Sequence, residues 1–132
     1  MGEYLPPPYG IIQLAAYLEK HIPDVELEII DCNAEKVDWK KMEERIVSSN
    51  PDIVASSSLA TCNTYAVVKT LEIAKRMAPH AFTVTGGQHF TITAQESLEQ
   101  YPEIDAIIRG EGEQTLTELV ECMGDQAAFP QI

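Results

Sequence analysis

Short runs of apolar, largely β-branched residues alternate with segments of helical period along almost the whole chain. That alternation restricts the fold more than any other feature. Helical spacing predicts helices over Ile11 to His21, Trp39 to Ser49, Thr64 to Met77, a short one from Thr93 or Ala94 to Gln100, and a last one from Thr115 to Met123. Between them, Val25 to Ile30, Ile53 to Ser56, Phe82 to Thr85 and Ile104 to Arg109 read as strands. Short connections between alternating elements require right-handed βαβ crossovers. The expectation is one α/β domain over residues 1–132: a doubly wound parallel sheet with helices on both faces, an extended stretch at 1–9 and a frayed tail at 124–132.

Local punctuation supports these boundaries. Asp38 can cap the second helix, with Met42, Ile46 and Val47 turned inward. Pro23 and Pro79 close the first and third helices, and Val67, Leu71 and Ala74 share one stripe of the third. The chain opens on a helix, whereas a doubly wound domain opens on a strand in the middle of its sheet. With the first strand missing, two rows of backbone groups lose their partners. The expected result is a repaired sheet, pairing between molecules, or lowered stability.

Composition excludes several classes. A formal charge of −12 does not suit nucleic acid or an anionic membrane, and no apolar run is long enough to span a bilayer. The sequence does not open on a basic stretch followed by an apolar one, so no secretory leader and a cytoplasmic location are expected. Cys32, Cys62 and Cys122 lack zinc spacing and read as free, buried or half-buried thiols, with no metal site implied.

Three loops should gather at the strand C-termini, where open parallel sheets bind ligands. They are Ser56 to Thr64, Gly86 to Phe90 and Gly110 to Glu113, with Tyr9 and Gly10 nearby. Gly86 and Gly87 remove both Cβ atoms where strand becomes loop, which allows close approach by a ligand or simply a tight turn. Ser57, Ser58 and Thr61 can donate hydrogen bonds or cap the third helix. Glu111 and Glu113 can act as paired carboxylates or meet a helix dipole. His89 can face the crevice or solvent, and Asp31 stands at a strand end. No Walker or dinucleotide glycine motif occurs, and no catalytic constellation is evident.

Taken in order, Pro6-Pro7-Pro8-Tyr9-Gly10, Ser57-Ser58-Leu59-Ala60-Thr61, Gly86-Gly87-Gln88-His89 and Arg109-Gly110-Glu111-Gly112-Glu113 resemble the cobalamin (B12)-binding domain of class B radical SAM proteins. Methyltransferases and the anaerobic magnesium-protoporphyrin ester cyclase type are among these. The resemblance implies a three-layer, flavodoxin-like (Rossmann-like) sheet with cobalamin over its C-terminal edge. It places Ser57, Leu59 and Thr61 along the cofactor's nucleotide tail, with Ser58, Gln88 and His89 beside them. Gly86 and Gly87 would let the tail pass, Gly110, Glu111, Gly112 and Glu113 would close the other side, and Tyr9 and Gly10 would lie under the corrin. The Asp-x-His-x-x-Gly motif is absent, which implies a base-off, histidine-off mode. The Cys-x-x-x-Cys-x-x-Cys motif is absent too, so S-adenosylmethionine and the 4Fe-4S cluster would belong to a radical SAM barrel outside this chain. The alternatives are a non-enzymatic regulatory or interaction domain of the same fold, or an enzyme using Ser57 or Glu111. Homo-oligomers through exposed sheet edges are a further expectation.

Overall fold

The computed structural model describes residues 7–57 and 61–124. The start of the proline-rich segment, Ser58 to Ala60, and the tail from residue 125 lie outside them. The chain divides into two compact units, one of residues 37–110 and one of residues 1–36 with 111–132.

The first of these holds the sheet. Helix α2 (Trp39–Ser49) begins at Asp38, whose carboxylate accepts a 2.8 Å hydrogen bond from the Lys41 N–H, and ends at Asn50 in the left-handed region. It leads to strand β1 (Ile53–Ser57), helix α3 (Thr64–Met77) and strand β2 (Phe82–Gly86). Two short helices, α4 (Gln88–Ile92) and α5 (Ala94–Gln100), then precede strand β3 (Ala106–Ile108). The strands are parallel, in the order β1-β2-β3.

Register assigns every side chain to a face. Val54 pairs with Thr83, and Ser56 with Thr85 and through it Ile107. Strand side chains alternate faces, so these residues share one side of the sheet. Helices α3 and α4 cover it with Val67, Leu71 and Phe90, against which Val54 and Ile107 pack. Leu71 and Phe90 are fully buried. On the same side, the Asp105 carboxylate accepts hydrogen bonds from the Thr83 N–H (2.9 Å) and hydroxyl (3.0 Å) and pairs with Lys75 of α3. That network pins the start of β3 to its neighbours. The opposite face carries Ala55 and Ser57 of β1, Val84 and Gly86 of β2, and Ala106 and Ile108 of β3.

The second unit contains helix α1 (Tyr9–His21) packed on helix α6 (Glu113–Glu121), which is followed by a 3-10 turn at Cys122–Gly124. Leu18, Leu116 and Leu119 are buried in this unit.

Several expectations require correction. Residues 25–30 are assigned to neither helix nor strand and, among the described residues, belong to no ladder; Leu27 and Ile29 are each 38% exposed. Alternation made the segment strand-like; among the described residues no neighbour completes it. The segment after the glycine pair is helix α4 from Gln88 onward, not loop. Val47 is exposed, because Met42 and Ile46 fill the inward stripe of α2. Asp31 is a turn cap: its Oδ1 accepts from the N–H groups of Asn33 (3.1 Å) and Ala34 (3.0 Å). Cys32 and Cys62 are exposed, Cys122 is half-buried, and none of the three is in a disulfide.

Candidate functional site

The three strands of the sheet stop level. Ser57, Gly86 and Ile108 form one row of register partners at the C-terminal rim. Two glycines there have separate structural reasons. A Cβ on Gly86 would stand 3.2 Å from the Ile108 carbonyl oxygen, too tight without a shift of backbone. Gly87 has φ 102°, a conformation that side-chain-bearing residues rarely adopt, and α4 begins at the next residue.

Side chains then tie the tips together. Thr61 sits in a 3-10 turn at Thr61–Asn63, and its carbonyl accepts from the Thr64 hydroxyl at the start of α3, 2.8 Å. Its own hydroxyl shares a 3.2 Å hydrogen bond with Nδ1 of His89 in α4. His89 also meets the buried Phe90 edge-on, with ring centroids 5.1 Å apart. Beyond β3, the Gly110 N–H donates to the Thr91 hydroxyl of α4, 3.1 Å, with Gly110 at φ 70°. The short helix α4 therefore braces both flanking tips. Ser57, Thr61, Gln88 and Gly110 are exposed, while Gly86, Gly87 and His89 are half-buried.

The α1–α6 unit groups the remaining predicted residues. Tyr9 and Gly10 are the first two residues of α1, both exposed. One turn on, Gln13 Nε2 donates to the Glu113 carboxylate, 2.7 Å, at the first residue of α6. Gly112 is the N-cap of α6, and its carbonyl accepts from the Leu116 N–H, 2.8 Å. Glu113 thus occupies the acidic first-turn position that a helix dipole favours. Glu111 is exposed just before it.

The predicted residues therefore fall into two sets. Ser57, Thr61, Gly86, Gly87, Gln88, His89 and Gly110 lie in the sheet unit; Tyr9, Gly10, Glu111, Gly112 and Glu113 lie in the other. Ser58 and Leu59 are outside the described residues. Sequence reasoning missed Thr91 and Gln13. Gln13 carried a faint signal, a polar residue one turn after Tyr9; Thr91 carried none, because α4 itself was read as loop. An open hollow lined by Ile92, Thr93, Gln95, Glu96 and Glu99 lies along α4 and α5 and includes none of the predicted residues. Among the described residues, no helix is long and apolar enough to cross a membrane.

Residues 2–120 match the family described as B12 binding domain. The chain is 36% identical over 112 residues to the anaerobic magnesium-protoporphyrin IX monomethyl ester cyclase of Cereibacter sphaeroides, covering 85% of this chain and 17% of that protein. It is 37% identical to the enzyme of the same name from Rubrivivax gelatinosus, covering 93% and 22%. It is 37% identical to an uncharacterized methyltransferase of Pyrococcus horikoshii, covering 89% and 25%. The chain thus spans between 17% and 25% of the length of these relatives. No solved structure matches it. The chain belongs to the B12-binding domain family, and cobalamin is its cofactor.

Proposed function

We propose that this chain is a single cobalamin-binding domain of a larger radical SAM enzyme, and that it holds the cofactor base-off and without a histidine ligand. The observation that carries the reading is the level row Ser57–Gly86–Ile108, with a glycine pair at its centre. On the face away from α3 and α4, Ala55, Ser57, Gly86 and Ala106 bear nothing larger than a methyl or hydroxymethyl group, and the larger side chains beside them are Val84 and Ile108. Bare backbone, hydroxyls and small side chains suit the tail of a bulky cofactor. Ser57, Ser58, Leu59, Thr61, Gly86 and Gly87 would flank that tail, with Gln88 and His89 beside them. Gly110, Glu111, Gly112 and Glu113 would close its other side, and Tyr9 and Gly10 would lie under the corrin.

The cofactor supplies cobalt-centred alkyl-transfer chemistry when bound; these residues bind and orient it. The histidine-off mode rests on one feature: the stretch Pro6 to Gly10 contains no imidazole. The relatives' greater length leaves room for a barrel that binds S-adenosylmethionine and a 4Fe-4S cluster. Exposed Cys32 and Cys62 without a disulfide suit a reducing cytoplasm.

The test is titration of the chain with hydroxocobalamin, followed by reduction and electron paramagnetic resonance of the Co(II) form. The expected outcome is uptake with a base-off spectrum lacking nitrogen superhyperfine splitting, unchanged in His89→Ala. A nitrogen-split signal that His89→Ala removes would overturn the ligation mode; failure to take up cobalamin would overturn the binding.

A further inference from the structure

The level row Ser57–Gly86–Ile108 is followed, at its β3 end, by Arg109. The other Lys and Arg residues of the sheet unit all lie along helices: Lys40, Lys41 and Arg45 on α2, and Lys69, Lys75 and Arg76 on α3. Those on α3 pair with Glu72, Asp105 and Glu43. Arg109 is exposed, and its guanidinium has no ion-pair or hydrogen-bond partner among the described residues. The other predicted tip residues of this unit, Ser57, Thr61, Gly86, Gly87 and Gln88, carry no charge.

The main chain on both sides of this arginine is held. Ile108 is a ladder partner of Gly86. On the other side, the Gly110 N–H donates to the Thr91 hydroxyl, 3.1 Å, with Gly110 at φ 70°. A Cβ on Gly110 would meet nothing within 4 Å, so the turn rather than crowding calls for glycine there. Arg109 is therefore an unpartnered cation on a tethered backbone. Backbone ordered in advance lowers the cost of ordering it when a ligand arrives.

An anion approaching a chain of formal charge −12 meets a repulsive field. The nucleotide tail of cobalamin carries one such anion, a phosphodiester, whereas the amide side chains of the corrin are neutral. A guanidinium presents a planar fork of donors that meets two phosphate oxygens at once. We infer that Arg109 is a further cofactor-binding residue whose guanidinium pairs with the phosphodiester of the cobalamin tail. Thr91 is its positioning residue, acting through the Gly110 N–H. The inference rests on cobalamin binding by this chain.

The test is titration of the chain, followed by its visible spectrum, with hydroxocobalamin and separately with aquacobinamide. The second ligand has the corrin but neither the nucleotide tail nor its phosphodiester. Arg109→Gln should weaken cobalamin binding about 10-fold or more. It should leave cobinamide binding unchanged and flatten the salt dependence of cobalamin binding. Arg109→Lys keeps the charge without the fork and should fall between the two. Should the glutamine variant lose the wild-type circular dichroism spectrum, Arg109→Lys carries the test. Thr91→Val should weaken cobalamin binding by a smaller factor and keep the wild-type salt dependence, because the charge remains. Arg109 variants that bind cobalamin as the wild type does, or that weaken both ligands equally, would overturn the inference and leave cobalamin binding standing. A wild-type chain that takes up neither ligand would overturn cobalamin binding itself, and the inference with it.

Discussion

Phe82 to Gly86 and Val25 to Ile30 look alike as sequence, short and rich in β-branched or large apolar residues, yet they end in opposite states. The first is the central strand, bonded on both edges, with Thr83, Val84 and Thr85 almost wholly removed from water. The second has no ladder and two large side chains exposed. Alternation prepares a segment for a sheet, but only neighbours on its edges make it a strand. The central strand has β1, β3 and a helical layer supplying Val67, Leu71 and Phe90; residues 25–30 have no ladder neighbours among the described residues.

The largest expected effect would break this comparison if it failed. Phe90→Ala should lower the unfolding free energy by about 3–5 kcal/mol in urea titration, because it empties the space beneath the central strand. Leu27→Ala, measured at a concentration where the chain is monomeric, should cost less than about 1 kcal/mol. Equal costs would mean that residues 25–30 are packed as tightly as β2. A smaller effect sharpens the picture at the strand's end. Gly87→Ala places a Cβ at φ 102° and should cost about 1–3 kcal/mol in the same titration. The smallest effect has the opposite sign. The Thr85 hydroxyl is buried with no hydrogen-bond partner, so Thr85→Val should raise stability by about 1 kcal/mol, seen as a higher denaturation midpoint with an unchanged slope.

Much of this fold is legible in the sequence where the determinants are local. Asp38 marks the start of α2, Pro79 follows the close of α3, and the Val67–Leu71–Ala74 stripe states which side of α3 is covered. What failed to show depends on distant partners or on elements too short to have a period. Five residues of α4 cannot display helical spacing, and the preceding glycines suggest only a turn. The strand character of 25–30 was inferred from its own residues, although a strand is decided across the ladder. The site follows the same division. That the tips after β1, β2 and β3 share one rim is dictated by parallel strands, and Gly86 and Gly87 announce themselves. The hydrogen bonds from His89 to Thr61 and from Gly110 to Thr91 were invisible, because both require α4 to exist and to turn those side chains sideways.

The shared finish line of the strands has a further implication for how such a chain can change. Pleating makes a single inserted residue in β1 swap Ala55 and Ser57 with Val54 and Ser56, exchanging the lane of small side chains for the side packed under α3. Two inserted residues restore the pattern and only lift one part of the sill. Length variation in this rim is therefore quantised in pairs, and a guest molecule that needs a level seat sets an upper bound on it.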